Sequence, residues 1–210
     1  MEALSGTAAG CGYIGAHIGA FSLMASEAWP EARIIACEAD PDNYVLLQKN
    51  TSSHHRIETL EAAIVAEDSL EVTFNRVIDK ARGNSGGGSC CRPEPGSIPV
   101  RIRAIQVVKL WRSKRLASCD LLKLDCEGAE VAILQALVSA GLLESVQHIL
   151  GEWHAQDNRE ESRRVVKHEL NEILRRSHEV VFLPHKQGRE GHFSARALAK
   201  APRLAGATST

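Results

Sequence analysis

RIIACEADP, at residues 33–41, joins a short apolar run to an Asp-Pro pair. An unbroken apolar run of this length, without polar alternation, is the pattern of a strand buried on both faces, as in a parallel sheet. Asp40 suits the N-cap of a following helix because its carboxylate accepts first-turn amides, and Pro41 suits the first helical position, where a missing N–H costs nothing. That helix should run to about Asn50. The same order recurs along the chain. Residues 57–66 (IETLEAAIVA) read as a strand, 70–77 (LEVTFNRV) as a short alternating strand and 119–125 (CDLLKLD) as another buried one. Val131, Leu134, Leu137 and Val138 then recur at helical spacing as far as Gly141. A strand at 146–152 (VQHILGE) precedes a charged helix at 159–176, with Val165, Val166, Leu170, Ile173 and Leu174 on one side, and the strand EVVFLP. Upstream, GTAAGCGYI at 6–14 reads as a strand of weak propensity that enters a glycine turn and a helix. Strands alternating with helices predict an α/β sandwich with a mainly parallel sheet. Only 82–99 (RGNSGGGSCCRPEPGSIP) interrupts, with almost nothing to bury, and reads as an inserted loop or lid. We expect one domain over residues 1–198 and a frayed tail at 199–210.

Twenty-five basic and 26 acidic residues leave a net charge of −1, and with 44% hydrophobic residues this excludes a disordered, collagenous or coiled-coil chain. Residues 81–118 nevertheless hold 8 basic and 1 acidic side chain. This block reads first as a solvated face and second as a surface for an anionic acceptor. Aromatics are only 4% and do not interleave with the basic residues, so no nucleic-acid surface is expected. Residues 3–26 carry no charge but are rich in Gly, Ala and Ser and contain His17, which argues against a membrane span or signal. Six cysteines with no CxxC pair suggest reduced thiols, no structural zinc site and a cytoplasmic location.

Ligands of an open parallel sheet bind beyond the carboxyl ends of its strands. GCGYIGAHIG at 10–19 offers a tight turn and close backbone approach there, and Glu38 ends the next strand, where a carboxylate can accept both hydroxyls of a ribose. Turn and acid together point to an adenosine-containing cofactor, either a dinucleotide or S-adenosylmethionine. Asp125, Glu127 and Glu130 crowd the end of a middle strand, a cluster no dinucleotide fold needs, and Glu152 and His154 end the following one. Carboxylates and an imidazole on adjacent strand ends suggest proton handling. The bland alternative makes Asp125 and Glu127 helix caps and packs His154 against Trp153.

DLLKLDCEGAEVAILQAL resembles the signature of the FkbM-type methyltransferases, and GAHIGAFSL, ACEADPDNYVLLQKN, LEAAIVAED, GNSGGGS and ILGEWH are similar to its other blocks in the same order. The resemblance spans about residues 13–195. It implies a Rossmann-like class I fold with a seven-stranded sheet, S-adenosyl-L-methionine as cofactor, and O-methylation of a small hydroxylated or sugar-like acceptor. It also implies that Gly15, Ala16, His17 and Gly19 line the methionine end, Glu38 holds the ribose, and Glu61 and Ala62 border the adenine. Asp125 and Glu127 would face the transferring methyl group, with Glu152 and His154 opposite. His154 is the first choice for general base, since an imidazole titrates near neutral pH, and whether Asp125 and Glu127 hold a cation stays open. Tyr13 stands where the family usually has an acid. A non-catalytic binding module keeping the fold, and an NAD-binding oxidoreductase on the strength of GxGxxG, are the alternatives.

Overall fold

The computed structural model describes residues 10–77, 86–93, 95–155, 157, 159–183 and 190–198, with residues 10, 11, 13 and 190 described by their backbone alone. RIIACE forms β2 (Arg33–Glu38), parallel to β1 (Gly10–Ile14) on one side and β3 (Ile57–Glu61) on the other. The Asp-Pro pair behaves as its chemistry dictates: Asp40 accepts the N–H groups of Asp42 (2.8 Å) and Asn43 (3.3 Å), and Pro41 opens helix α2 (Pro41–Thr51). Helix α1 (Ala20–Ala28) links β1 to β2. Beyond β1 lie β7 (Cys119–Leu124) and β8 (Val146–His154), both parallel. The sheet closes with β10 (Glu190–Ala197), antiparallel to β8, and β9 (His178–Phe182), giving the order β3-β2-β1-β7-β8-β10-β9.

Helices cover both faces, and the period-2 alternation of the strands decides which residue meets which helix. Ile35, Cys37, Leu122, Leu124 and Ile149 join the larger core with α3 (Val107–Ser113), α4 (Glu130–Ser139) and α5 (Glu160–Leu174). Ile34, Ala36 and Leu121 face the other way, toward Ala25 of α1 and Leu47 of α2.

The expected α/β sandwich is therefore present, but the sheets are mixed. The stretch 57–66 is not one strand: it breaks at Ala62, whose N–H donates to the Glu38 carbonyl (3.0 Å), and continues as β4 (Ala63–Val65) in a second, three-stranded sheet. That sheet has the order β4-β6-β5, with β5 (Glu71–Val77) antiparallel to β6 (Ser97–Gln106). Strand β6 claims the end of the expected 82–99 loop. Of the rest, 86–93 is anchored by a main-chain bridge between Ser89 and Asn75 and by buried polar side chains, Ser89 being 1% exposed and Arg92 8%. Arg76 of β5 ties the small sheet to the start of α2 by pairing with Asp40 at 2.9 Å and Asp42 at 2.6 Å.

The basic block lies largely on β6 and α3, where Arg101 pairs with Glu71 and Lys109 with Asp68 in well-exposed ion pairs. Among the described cysteines, Cys37, Cys90, Cys91, Cys119 and Cys126 are free thiols. No described helix is long and apolar enough to cross a membrane. The tail at 199–210, the first nine residues and positions 82–85 lie outside the described residues.

Candidate active site

At the carboxyl ends of β1, β2, β7 and β8 lies a cavity of about 360 Å³. Its first wall is the glycine turn. Gly15 has φ +81°, and its N–H and that of Ala16 donate to the Cys37 carbonyl at 3.1 and 2.9 Å. His17 also sits in the left-handed region (φ 52°), which directs its N–H to Glu38 Oε2 at 2.7 Å. Glu38 Oε1 accepts the Asp40 N–H at 2.9 Å. The β1 turn and the β2 acid, 21 residues apart, are thus held as one unit. Burial pushes the Glu38 carboxyl above its ordinary value, while the two backbone amides pull the other way.

The opposite wall is the turn from β7 into α4. Glu130, in the first turn of α4 and 1% exposed, accepts the N–H groups of Cys126 (3.0 Å) and Gly128 (3.1 Å), so it is the acid that serves the helix start. Asp125 and Glu127 are left to other work, contrary to the capping alternative. Glu127 has φ 53° and lines the cavity beside Asp125, whose Oδ2 takes Lys123 Nζ at 2.9 Å. Arg92 reaches in from the segment before β6 to bond Glu127 Oε2 at 2.9 Å.

His154 closes the constellation. Its Nδ1 meets Glu130 Oε1 at 3.0 Å and its Nε2 lies 3.6 Å from Glu127 Oε2. Burial works against the charged ring, but the Glu130 hydrogen bond and the charges of Glu130, Glu127 and Asp125 prevail, lifting its pKa to about 9. Burial raises the Glu127 carboxyl despite His154 and Arg92; burial also pushes Glu130 up, but the bond and charge of His154 and the backbone amides together prevail and lower it. The upward shift favours the imidazolium, the form with no lone pair to accept a proton. In that form the ring would act through its charge, whereas the sequence-based expectation makes it the general base. Its stabilisation is complete below the ordinary value of 6.5 and is lost as pH rises toward 9. Thermal unfolding should accordingly show a falling melting temperature from pH 6.5 to 9, flattened in Glu130→Gln. A flat wild-type profile would mean that the ring is neutral in the folded protein.

Asp125, Glu127 and His154 place one ligand-type atom each within 4.8 Å of one another, the spacing of a three-point cation site. Each already has a protein partner of opposite charge: Lys123, Arg92 and Glu130 respectively. The cluster is charge-compensated by the chain itself.

Gly15, His17, Glu38, Ala62, Asp125, Glu127, Glu152 and His154 all line this one cavity. Three expected residues do not. Ala16 is buried behind the turn, in a smaller pocket with Phe21 and Lys123. Gly19 (φ 93°) serves packing, since a Cβ there would come within 2.8 Å of Leu47 Cδ1. Glu61 is exposed at the end of β3, in register with Glu38 but outside the cavity. The expectation for Tyr13 concerns a side chain outside the described residues. Sequence reasoning missed Asn43, Ile64, Phe74 and Cys90 in the lining, together with Arg92 behind it.

The FkbM methyltransferase domain model matches residues 14–183, which contain every one of these lining residues. The chain belongs to the FkbM methyltransferase family. No curated protein matches the FkbM chain. Among solved structures, the chain is similar to the precorrin-6y C5,15-methyltransferase of Geobacter metallireducens (TM-score 0.52, 12% identity, 93% of this chain and 83% of that one). It is also similar to the N-terminal domain of EvdMO1 with SAH bound (TM-score 0.54, 11% identity, 91% and 75%). A third likeness is to the fibrillarin pre-rRNA processing protein of Methanococcus jannaschii (TM-score 0.53, 10% identity, 91% and 67%). At these identities the likeness establishes a shared class I methyltransferase fold.

Proposed function

We propose that this FkbM protein transfers the methyl group of S-adenosylmethionine to an oxygen of a small hydroxylated or sugar-like acceptor. The observation that carries the reading is one cavity bounded on one side by the Gly15–His17–Glu38 unit and on the other by Asp125, Glu127 and His154. The donor is S-adenosylmethionine, which when bound supplies a methyl group made electrophilic by the sulfonium. Glu38, oriented by two amides, has lone pairs left to accept ribose hydroxyls. The backbone at Gly15 and His17 approaches the methionine end, and Ala62, Ile64 and Phe74 offer an apolar flank to the adenine.

On the acceptor side, Glu127 takes the hydroxyl proton, because burial has made its carboxylate a better base than a free one. The bound donor would supply its methyl carbon to the acceptor oxygen, with the carbon–sulfur electrons staying on sulfur. His154, as a cation, stabilises the negative charge that gathers on the acceptor oxygen, and Asp125 orients the hydroxyl. The rest is positioning.

Calorimetry with S-adenosylmethionine and with NAD tests the first half. Binding of NAD alone would replace the reading with an oxidoreductase. A screen of acceptors with a radiolabelled methyl donor tests the second, and donor binding with no labelled product from any hydroxylated acceptor would favour a binding module. Glu38→Ala should weaken donor binding by about 1.5 to 3 kcal/mol, the worth of hydrogen bonds to a charged group. Unchanged affinity in a folded variant would remove Glu38 from the site.

A further inference from the structure

We propose that Arg92 is a positioning residue of the methyl-transfer site, one that holds the Glu127 carboxylate at the cavity wall; this rests on the reading of Glu127 as the acceptor's base. Glu127 is gripped at two points. Arg92 Nη2 bonds its Oε2 at 2.9 Å, and Arg92 Nη1 bonds its main-chain carbonyl at 3.3 Å, so one guanidinium spans side chain and backbone of the same residue. Ser89 Oγ donates to that carbonyl as well, at 2.7 Å, and accepts the N–H groups of Cys91 (2.9 Å) and Arg92 (3.2 Å). Ser89 thereby fixes both the residue held and the segment that holds it. The segment also backs the turn, because a Cβ on Gly128 would lie 3.3 Å from Cys91 Cβ and 3.5 Å from Arg92 Nη1.

Such a grip matters because Glu127 stands at φ 53°, a conformation that a non-glycine residue keeps only when its surroundings enforce it. The guanidinium fork suits the task in a way an ammonium does not, since two N–H groups in one plane address two acceptors at once. The Arg92 side chain is 9% exposed and that of Glu127 19%, so the pair is shielded from water and does not exchange partners freely. The charged groups facing Glu127 are Arg92 from the segment before β6, His154 from β8, Asp125 from its own turn and Glu130 from α4. Lys123 and Glu130 are committed to Asp125 and His154. Arg92 is therefore the cation that bonds Glu127 directly, beside His154 at 3.6 Å, and it comes from a segment 35 residues away.

The test combines NMR titration and turnover. In protein carrying 13C at the glutamate carboxyls, the resonance lost in Glu127→Gln is assigned to Glu127, and its titration midpoint is followed. Arg92→Met, which keeps length and loses charge, should raise that midpoint by about one to three pH units, as loss of an opposite charge within bonding distance does. Arg92→Lys should raise it less. With the acceptor found in the methyl-label screen, both variants should lose kcat at least about tenfold with donor Kd unchanged, because the base is misplaced while the donor's contacts are not. If the midpoint stays put in a variant that unfolds at lower temperature, or if Arg92→Lys keeps wild-type kcat, Arg92 is a structural ion pair and the proposal falls. Should Arg92→Met not fold, Arg92→Lys alone decides by the same two readouts. Full turnover in Glu127→Gln would overturn the reading of Glu127 as base and leave the Arg92–Glu127 coupling visible in the titration.

Discussion

Glu127→Gln is expected to lower turnover by about 10² to 10⁴ while leaving the affinity for S-adenosylmethionine almost unchanged, as when a general base is removed from a site whose cofactor contacts survive. The amide fills the same space and can still accept from Arg92, so the turn should keep its shape. What it cannot do is take a proton. His154 is not expected to replace it, since its Nδ1 is bound to Glu130 and its pKa is raised to about 9. Turnover should rise with pH through the Glu127 carboxyl and fall again as His154 loses its proton toward pH 9, because the developing negative charge on the acceptor then loses its cation. Removing that cation by His154→Gln should abolish the alkaline limb of the profile. Single-turnover rates on the same variants, with melting temperatures alongside, check both statements. A Glu127→Gln enzyme that turns over normally would mean that proton removal is not assisted by this residue.

The parts of the fold that could be read from sequence are those where burial on both faces leaves an unbroken apolar run. RIIACE and CDLLKL are of this kind, and both are central strands. Strand β6 was hidden because SIPVRIRAIQ lies in a sheet partly open to solvent. Its alternating arginines read as a charged surface rather than as the exposed half of a period-2 pattern. Strand β10 was hidden for another reason: EGHFSARA has no apolar run, and of its buried residues Phe193 and Ala195 the first packs on glycine backbone, its ring where a Cβ on Gly151 would be. The break at Ala62 could not be foreseen from IETLEAAIVA, whose apolar pattern continues straight through it. The break follows from tertiary pairing, with Ala62 tied to Glu38 and Ala63 already turned to β6.

The site shows the same division. Residues at strand ends were found because topology alone places strand ends together. Glu130 was visible as one of three acids, but that it serves two amides and a histidine 24 residues away depends on the folded turn. Arg92 had no signal at all. It lies in a stretch without periodicity, and its partner is a residue of another element. Glu61 and Gly19 were assigned to the ligand by their place in the family pattern, whereas Glu61 is exposed and not among the residues lining the cavity, and Gly19 is needed where α1 meets α2.

Gly15→Ala is expected to cost about 3 to 5 kcal/mol of stability and most of the donor affinity, the combined effect of a disfavoured backbone conformation and a clash that nothing nearby can relieve. A Cβ at Gly15 would come within 1.6 Å of the Asp125 carbonyl oxygen and 2.7 Å of its carbon. These are backbone atoms of the residue that follows β7, so no rotamer change clears them, and the neighbouring Asp125 N–H to Ile14 carbonyl bond (3.0 Å) holds the two strands together at that point. Relief requires β1 and β7 to part at their carboxyl ends. That movement would displace Asp125 and also break the Gly15 and Ala16 bonds to Cys37 that keep the turn against Glu38. Gly96 provides the control. Its φ of +80° matches Gly15, yet a Cβ there would meet nothing within 4 Å, so Gly96→Ala should carry the left-handed penalty alone, about 1 to 2 kcal/mol. Urea unfolding of the two variants separates conformation from contact. Equal losses would mean that positive φ by itself explains the glycine at position 15, and that the approach of the Asp125 carbonyl places no demand on it.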